Sequence, residues 1–160
     1  MDNHEEIGGP MNESTINIRL MKADDFDTVV AIDEKALKVS RPKYYEIKFD
    51  MLFKTSNFLP VSLVAEAADG VVVGFVMGEI YIGEYGISQE GSTLDTIGVD
   101  PDYRQQGIGE QLIDEFAKHL KSLGVETMHT LVDMNDSTLI HFFNENHFSP
   151  SKTINLERSL

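Results

Sequence analysis

The chain has 160 residues, of which 41% are hydrophobic and 25% are charged, and it contains no cysteine. These proportions are typical of a single globular domain, and the absence of cysteine excludes disulfide bonds, cysteine-ligated zinc and a thiol nucleophile. The 27 acidic and 13 basic residues give a net charge of −14, which makes nucleic acid and anionic membranes poor partners.

The first 14 residues have no periodic pattern, and they include acidic residues but no lysine or arginine. We expect them to be a disordered acidic tail before a single domain over residues 15–160. The N-terminus lacks the basic and apolar stretches of a signal peptide, and no apolar run approaches the ~20 residues of a membrane helix. The sequence therefore predicts a cytoplasmic protein.

The periodicity of apolar residues predicts the order β-α-α-β-β-β-α-β-α-β. Pro42 suits the first turn of a helix, Asp69-Gly70 is a hairpin turn signal, and Gly124 ends a helix. A polar loop containing Gly83, Gly86 and Gly91 follows the hairpin. Strands are predicted over 15–21, 61–67, 71–82, 92–99, 125–132 and 153–160, and helices over about 23–37, 42–52, 107–123 and 136–146.

Residues 94–109 carry the chemistry, because there a strand ends, the chain turns at Asp100-Pro101, and a glycine-containing segment opens a helix. The first N–H groups of a helix have no partner within it, and the helix dipole is positive at that end. Glycines let the backbone approach a phosphate closely, and Arg104 adds a fixed positive charge. The pattern predicts an anion site.

Two known phosphate motifs do not fit this segment. Glu110 follows Gly109 where a Walker loop needs lysine, and Leu112 stands where a dinucleotide fingerprint needs a small residue. For the glycines alone, the alternative is an ordinary turn into an amphipathic helix.

The same segment resembles the GNAT superfamily of acetyl-CoA-dependent N-acetyltransferases. Arg104-Gln105-Gln106-Gly107-Ile108-Gly109 matches the signature Gln/Arg-x-x-Gly-x-Gly/Ala, and the preceding residues 97–101 have the family's strand-then-turn form. Residues 135–148 resemble its last-helix segment, and residues 154–160 resemble its closing strand. The resemblance implies a mixed α/β (α+β) domain: a mostly antiparallel sheet of six to seven strands, splayed at the acetyl-CoA site, with about four helices.

The resemblance also implies acetyl-CoA as cosubstrate and names the residues that would hold it. The backbone of Ile97 and Val99 would bond the pantetheine arm, and Arg104, Gln105, Gln106, Gly107, Ile108 and Gly109 would hold the pyrophosphate. Asn135 or Asp136 would also bond the pantetheine arm, although both are equally good N-cap residues for the last helix.

Acetyl transfer to an amine needs a base, since an alkyl amine with a pKa near ~10 is mostly protonated at neutral pH and only the neutral form attacks. Asp95 occupies a position where related enzymes often carry a carboxylate base; the alternative is a strand-end aspartate that orders a loop or binds the substrate ammonium. Many relatives use a tyrosine in the last helix to donate a proton to the leaving thiolate. Phe143 aligns with that tyrosine and has no proton to donate. His129 lies in a strand near the site, where an imidazole would titrate usefully; the alternative is a structural or surface role. The histidines lack metal-ligand spacing, so no metal is expected.

By the same resemblance, Arg41 and Tyr45 lie in the acceptor-binding region. Lys38, Arg41 and Lys43 form a basic island that would bind a carboxylate of the acceptor, or else they are solvated charges at a helix end. The sequence predicts an N-acetyltransferase acting on a primary amine of a small molecule or of a peptide or protein N-terminus, by direct attack in a ternary complex, in a monomer or homodimer. A noncatalytic acyl-CoA-binding or regulatory module is the alternative, because of Phe143.

Overall fold

The computed structural model describes residues 15–55, 59–82 and 90–160, so the predicted acidic tail lies outside the described residues. None of the helices in these ranges has the length and apolar character required to cross a bilayer. The α-helices are α1 (Phe26–Leu37), α2 (Pro42–Lys54), α3 (Ile108–Ser122) and α4 (Ser137–Glu145), and the strands are β1 (Asn17–Leu20), β2 (Leu63–Glu66), β3 (Val72–Ile82), β4 (Glu90–Val99) and β5 (Thr127–His129).

The strands form one sheet in the order β1-β2-β3-β4-β5. The first four strands are antiparallel neighbours, whereas β4 and β5 are parallel and are connected through α3. Their pairing ends at Thr93 and His129, although β4 continues to Val99. This confirms the predicted mixed, mostly antiparallel sheet that opens between two parallel strands.

A β-bulge in β4 changes which residues face each side of the sheet. Met77 of β3 pairs with Thr96 and Gly78 pairs with Leu94, so Asp95 is the extra residue. Asp95 and Thr96 therefore both face α2, where they contact Lys48 and Tyr45. The alternation expected of a regular strand would have put these two neighbours on opposite faces.

The sheet has an apolar core on each face. On one face, Phe75 and Met77 of β3 pack with buried residues of α1 and α2. On the other face, Val76 and Leu94 pack with the apolar stripe of α3, whose Leu112 and Phe116 are fully buried. The two cores fix the position of β4, because α1 and α2 pack on one face of the sheet and α3 packs on the other.

The strand predicted over 153–160 is wrong, and the five described strands are fewer than the six to seven expected. Ile154 and Leu156 are more than four-fifths exposed. Alternating apolar residues specify one apolar face, but a strand also needs a partner edge. The outer strand β5 has only three residues instead of the eight predicted. Its edge is therefore too short to pair with an eight-residue strand over 153–160. Gly91, predicted in a loop, lies in β4.

Candidate functional site

The opening between β4 and β5 exposes backbone hydrogen-bonding groups along one edge of β4. The strands separate where Thr130 Oγ1 donates to the carbonyl oxygen of Leu94 at 2.9 Å. The Asp100 N–H donates to Val73 of β3, and backbone direction alternates along a strand. The backbone groups of Ile97 and Val99 therefore face the gap, where β5 does not pair with them. Arg104 Nε donates to the Val99 carbonyl at 3.4 Å.

The turn from β4 into α3 brings unpaired N–H groups to the end of this gap. Gln105 and Gly107 both have positive φ angles, of 60° and 72°, and glycine adopts that conformation without steric cost. The first helical bond of α3 runs from the Gln111 N–H to the Gly107 carbonyl at 3.0 Å. The N–H groups of residues 108–110 therefore have no partner within the helix and are available to an anion.

Gly109 has a packing role as well. A Cβ at this position would lie 3.2 Å from the ring of Phe142 and 3.9 Å from Val99. Glycine thus allows α4 to approach the first turn of α3, which closes the site on the side of the second core. Helix packing therefore accounts for the glycine at position 109 without any ligand.

The acidic residues just before this turn are paired with Lys35 and not with Arg104. Lys35 of α1 is paired with Asp100 at 2.7 Å and with Asp102. Arg104 is exposed, and it forms no ion pair with any residue in the described ranges. Its guanidinium is the cation that can meet an anion held by the start of α3.

Asp95, the predicted base, is in an ion pair with Lys48 of α2. The carboxylate and ammonium are 2.6 Å apart, and each side chain is about one-fifth exposed. Burial lowers the pKa of Lys48, but the hydrogen bond and charge of Asp95 outweigh it, so the Lys48 pKa lies above its ordinary value. Lys48 therefore remains an ammonium at neutral pH, and the Asp95 carboxylate is already paired with it.

The two predicted acceptor residues are both built into the packing of α2. Arg41 donates from Nε and Nη2 to the buried carboxylate of Asp33, at 2.9 and 2.6 Å. Tyr45 is fully buried, its hydroxyl oxygen is 3.5 Å from Thr96 Oγ1, and burial raises its pKa well above the ordinary value. The charge of Arg41 is thus already balanced by Asp33.

At the start of α4, the structure gives Asn135 and Asp136 different contacts. Asp136 caps α4 by accepting from the Leu139 N–H at 2.9 Å. Asn135 is exposed and donates from Nδ2 to Asp133 at 3.1 Å. Phe143 is 5% exposed and packs edge-on against its aromatic neighbours Phe142 and Phe148, so it belongs to the core.

One contact in this region was not predicted. Tyr81 Oη lies 3.0 Å from His129 Nδ1, which joins β3 to β5 across β4. The ring of Tyr81 lies over Gly91, where a Cβ would come within 2.8 Å of it. A glycine inside a strand signals a close approach of this kind, but the sequence predicts a loop at Gly91.

Comparison with known proteins agrees with this geometry. The sequence model described as Acetyltransferase (GNAT) family matches residues 26–148. An acetyltransferase of Pectobacterium atrosepticum is 29% identical over 145 residues, covering 91% of this chain and 96% of that protein. An acetyltransferase of Sodalis glossinidius is 31% identical over 128 residues, covering 80% of this chain and 83% of that protein.

Two solved structures share the fold. Aminoglycoside N-acetyltransferase AAC(6′)-Iy in complex with CoA superposes with a TM-score of 0.73 at 19% identity, covering 91% of this chain and 95% of that one. The ribosomal-protein-S18-alanine N-acetyltransferase of Escherichia coli gives 0.69 at 19% identity, covering 86% and 80%. Because the family match spans most of the sequence and includes both the opened strand pair and the glycine turn, the chain belongs to the Acetyltransferase (GNAT) family.

Proposed function

We propose that this acetyltransferase moves the acetyl group of acetyl-CoA to a primary amine by direct attack in a ternary complex. The observation that carries the proposal is the gap between β4 and β5, which opens beyond Thr93 and ends at the unpaired N–H groups of α3. A linear arm that bears amides fits an exposed strand edge, and a pyrophosphate fits a helix N-terminus.

Acetyl-CoA is the cosubstrate that family membership implies, and when bound it supplies an activated thioester. The backbone of Ile97 and Val99 would hold its pantetheine arm, with Asn135 on the opposite side of the gap. Arg104, Gln105, Gln106, Gly107, Ile108 and Gly109 would hold its pyrophosphate. The residues of this chain fit the group because they supply N–H donors and a guanidinium, which suit phosphate oxygens.

The acceptor is proposed to be a primary amine on a small molecule or at a peptide or protein N-terminus. Two structural neighbours are named for aminoglycosides and for the alanine of a ribosomal protein. On the α2 face of this sheet, Glu79, Asp95 and Lys48 line one small cavity, and the charges of both carboxylates raise the pKa of Lys48. Such a surface favours a cationic acceptor, while Arg41 and Tyr45 hold α2 in place beside it.

Asp95 remains a predicted general base, and its ion pair adds a condition to that role. To take a proton from an acceptor, its carboxylate must exchange Lys48 for the acceptor ammonium. In either case the carboxylate orients the incoming nitrogen through charge. The leaving sulfur can depart as a thiolate because thiols ionise near neutral pH, at a pKa of ~8.5, so the buried Phe143 does not block the reaction.

The test is release of free CoA from acetyl-CoA in the presence of an aminoglycoside, sisomicin, or of a peptide with an N-terminal alanine. We expect CoA release above the rate without amine, and an acetylated product by mass spectrometry. Arg104→Glu should abolish release at low acetyl-CoA concentration. Arg158→Glu is the matched control, since it makes the same charge change in the exposed C-terminal segment. Binding of acetyl-CoA without release across an amine panel would favour the noncatalytic alternative.

A further inference from the structure

Tyr81 and His129 form a connection across β4 that the proposed mechanism has not used. Tyr81 pairs with Gly91 in the β3–β4 register, and its hydroxyl extends over that glycine to His129 Nδ1 at 3.0 Å. Any larger residue at position 91 would collide with the tyrosine ring. The side chains of β3 and β5 can meet only because β4 carries no side chain between them.

His129 stands at the closed end of the cofactor gap. It is the last residue of β5 that pairs with β4, opposite Thr93, and the strands part at the next residue, where Thr130 bonds Leu94. Side chains two residues apart on a strand share a face. Tyr81 therefore lies on the same face as Met77 and Glu79, toward α2, and its contact places His129 there too.

This face is also the one from which an acceptor would approach. The titratable and charged groups on it are Tyr81 and Glu79 of β3, Asp95 of β4, Lys48, Tyr44 and Tyr45 of α2, and the ion pair of Arg41 with Asp33 beside them. Asp95 is already bonded to Lys48 at 2.6 Å, whereas His129 Nε2 has no hydrogen bond to any residue in the described ranges. Among side chains, imidazole changes charge nearest neutral pH, which suits a general base.

This inference rests on the proposed function: we propose that His129, in place of Asp95, accepts the proton of the acceptor amine and that Tyr81 is its positioning residue. The Nδ1–H donates to Tyr81 Oη, which leaves the lone pair on Nε2. The acceptor ammonium gives one proton to Nε2, and its nitrogen forms a bond to the acetyl carbon. The bond from that carbon to sulfur breaks, and its electron pair leaves on the CoA thiolate. The nitrogen then loses a second proton and becomes the amide nitrogen. Of this proton and the imidazolium proton, one goes to the thiolate and the other to solvent.

The tautomer of His129 tests this proposal without catalysis. Nitrogen-15 NMR of the imidazoles in the ligand-free protein should show His129 with the proton on Nδ1. Tyr81→Phe should shift it toward the Nε2–H form. His141, which is exposed on α4, is the internal control and should not change. A proton on Nε2 of His129 in the unmodified protein would overturn the proposal.

Acetyl-CoA then tests the location of His129. Adding it should shift the nitrogen-15 signals of His129 and leave those of His141 in place. Calorimetry on the same sample separates the two ideas. If acetyl-CoA binds and His129 does not respond, this inference fails alone; if acetyl-CoA does not bind, the proposed function fails.

Kinetics provides the second readout, with sisomicin or the alanyl peptide as acceptor. His129→Gln should lower kcat by about 10²-fold or more, remove the acidic limb of the pH profile of kcat/KM, and leave the KM for acetyl-CoA unchanged. Tyr81→Phe should shift that limb with a smaller loss, and His141→Gln should match the unmodified protein. An unchanged pH profile in His129→Gln would contradict the proposal.

Discussion

The Asp95 carboxylate and the Lys48 ammonium are 2.6 Å apart at the β4 bulge. This ion pair determines how substitution of Asp95 should change the KM for a cationic acceptor. Asp95→Asn removes the charge that would attract an acceptor cation, so we expect KM for sisomicin to rise about tenfold, as for the loss of ~1.4 kcal/mol. The affinity for acetyl-CoA should not change, because the proposed cosubstrate contacts are made by the backbone of β4 and not by the Asp95 side chain. Steady-state kinetics over a range of pH provides the measurement.

Lys48→Met is the matched variant for this prediction. It frees the same carboxylate, so KM for the cationic acceptor should fall. A different outcome, in which Asp95→Asn lowers kcat/KM chiefly below the pKa of the amine at constant KM, would identify Asp95 itself as the base. A pH profile and KM identical to those of the unmodified protein would remove Asp95 from the site.

Residue types could be assigned to this site from the sequence, but their partners could not. The glycines and Arg104 follow from local requirements of a turn and a helix N-terminus. Lys48 is 47 residues from Asp95 along the chain, and Asp33 lies in the helix before Arg41. Which carboxylate neutralises which cation depends on how α2 packs on the sheet, and no local pattern reports that.

At the scale of elements, one ion network joins the first strands to the start of α1. Arg19 of β1 bonds both Asp25 and Glu66 of β2. Burial raises the pKa of Asp25, but hydrogen bonds from Arg19 and from the Lys22 N–H outweigh burial, so its pKa lies below the ordinary value. A carboxylate of this kind stabilises the fold only while it is ionised.

The network predicts a pH-dependent effect of Asp25→Asn. Because the folded pKa is below that of the unfolded chain, the contribution is complete above the unfolded value of ~3.9 and is lost as pH falls through the folded value. Urea unfolding should therefore show a less stable variant at pH 7 and a shrinking difference at low pH. A difference that stays constant down to pH 2 would contradict the assigned ionisation.

The C-terminal segment gives a second prediction at this scale. Residues 153–160 are exposed and belong to no strand, so deleting them should change the free energy of unfolding by no more than about 0.5 kcal/mol. Urea unfolding of the truncated chain provides the comparison. A loss of several kcal/mol would mean that the segment pairs with the sheet, as its alternating apolar residues had predicted.

The helices were easier to predict than the strand edges. The apolar stripe of α3 repeats over four turns, and its bounds differ from the prediction by one residue at each end. The β4 bulge leaves only one irregular step in the apolar pattern, since Leu94 and Ile97 are three residues apart whereas Ile97 and Val99 are two apart; one such step does not by itself identify a bulge. Yet this bulge directs Asp95 toward α2, so the most important local feature of the site was not predictable.

For the whole molecule, the central problem is how a protein with a net charge of −14 binds an anionic cosubstrate. Long-range repulsion is screened within about 8 Å at physiological ionic strength. The affinity must therefore come from contacts at short range, and the turn before α3 offers N–H groups together with the exposed Arg104. The family fold was predictable because the order of helices and strands and the glycine-containing turn before α3 both point to the same family.

Calorimetric titration with acetyl-CoA, comparing the unmodified protein with Arg104→Glu and Arg158→Glu, tests the account most directly. We expect binding to the unmodified protein and to Arg158→Glu with equal affinity. Arg104→Glu should bind at least about tenfold more weakly, since a charge-assisted hydrogen bond contributes ~1.5–3 kcal/mol. Absence of binding to the unmodified protein, or equal affinity in all three, would contradict the assignment of this gap and turn as the acetyl-CoA site.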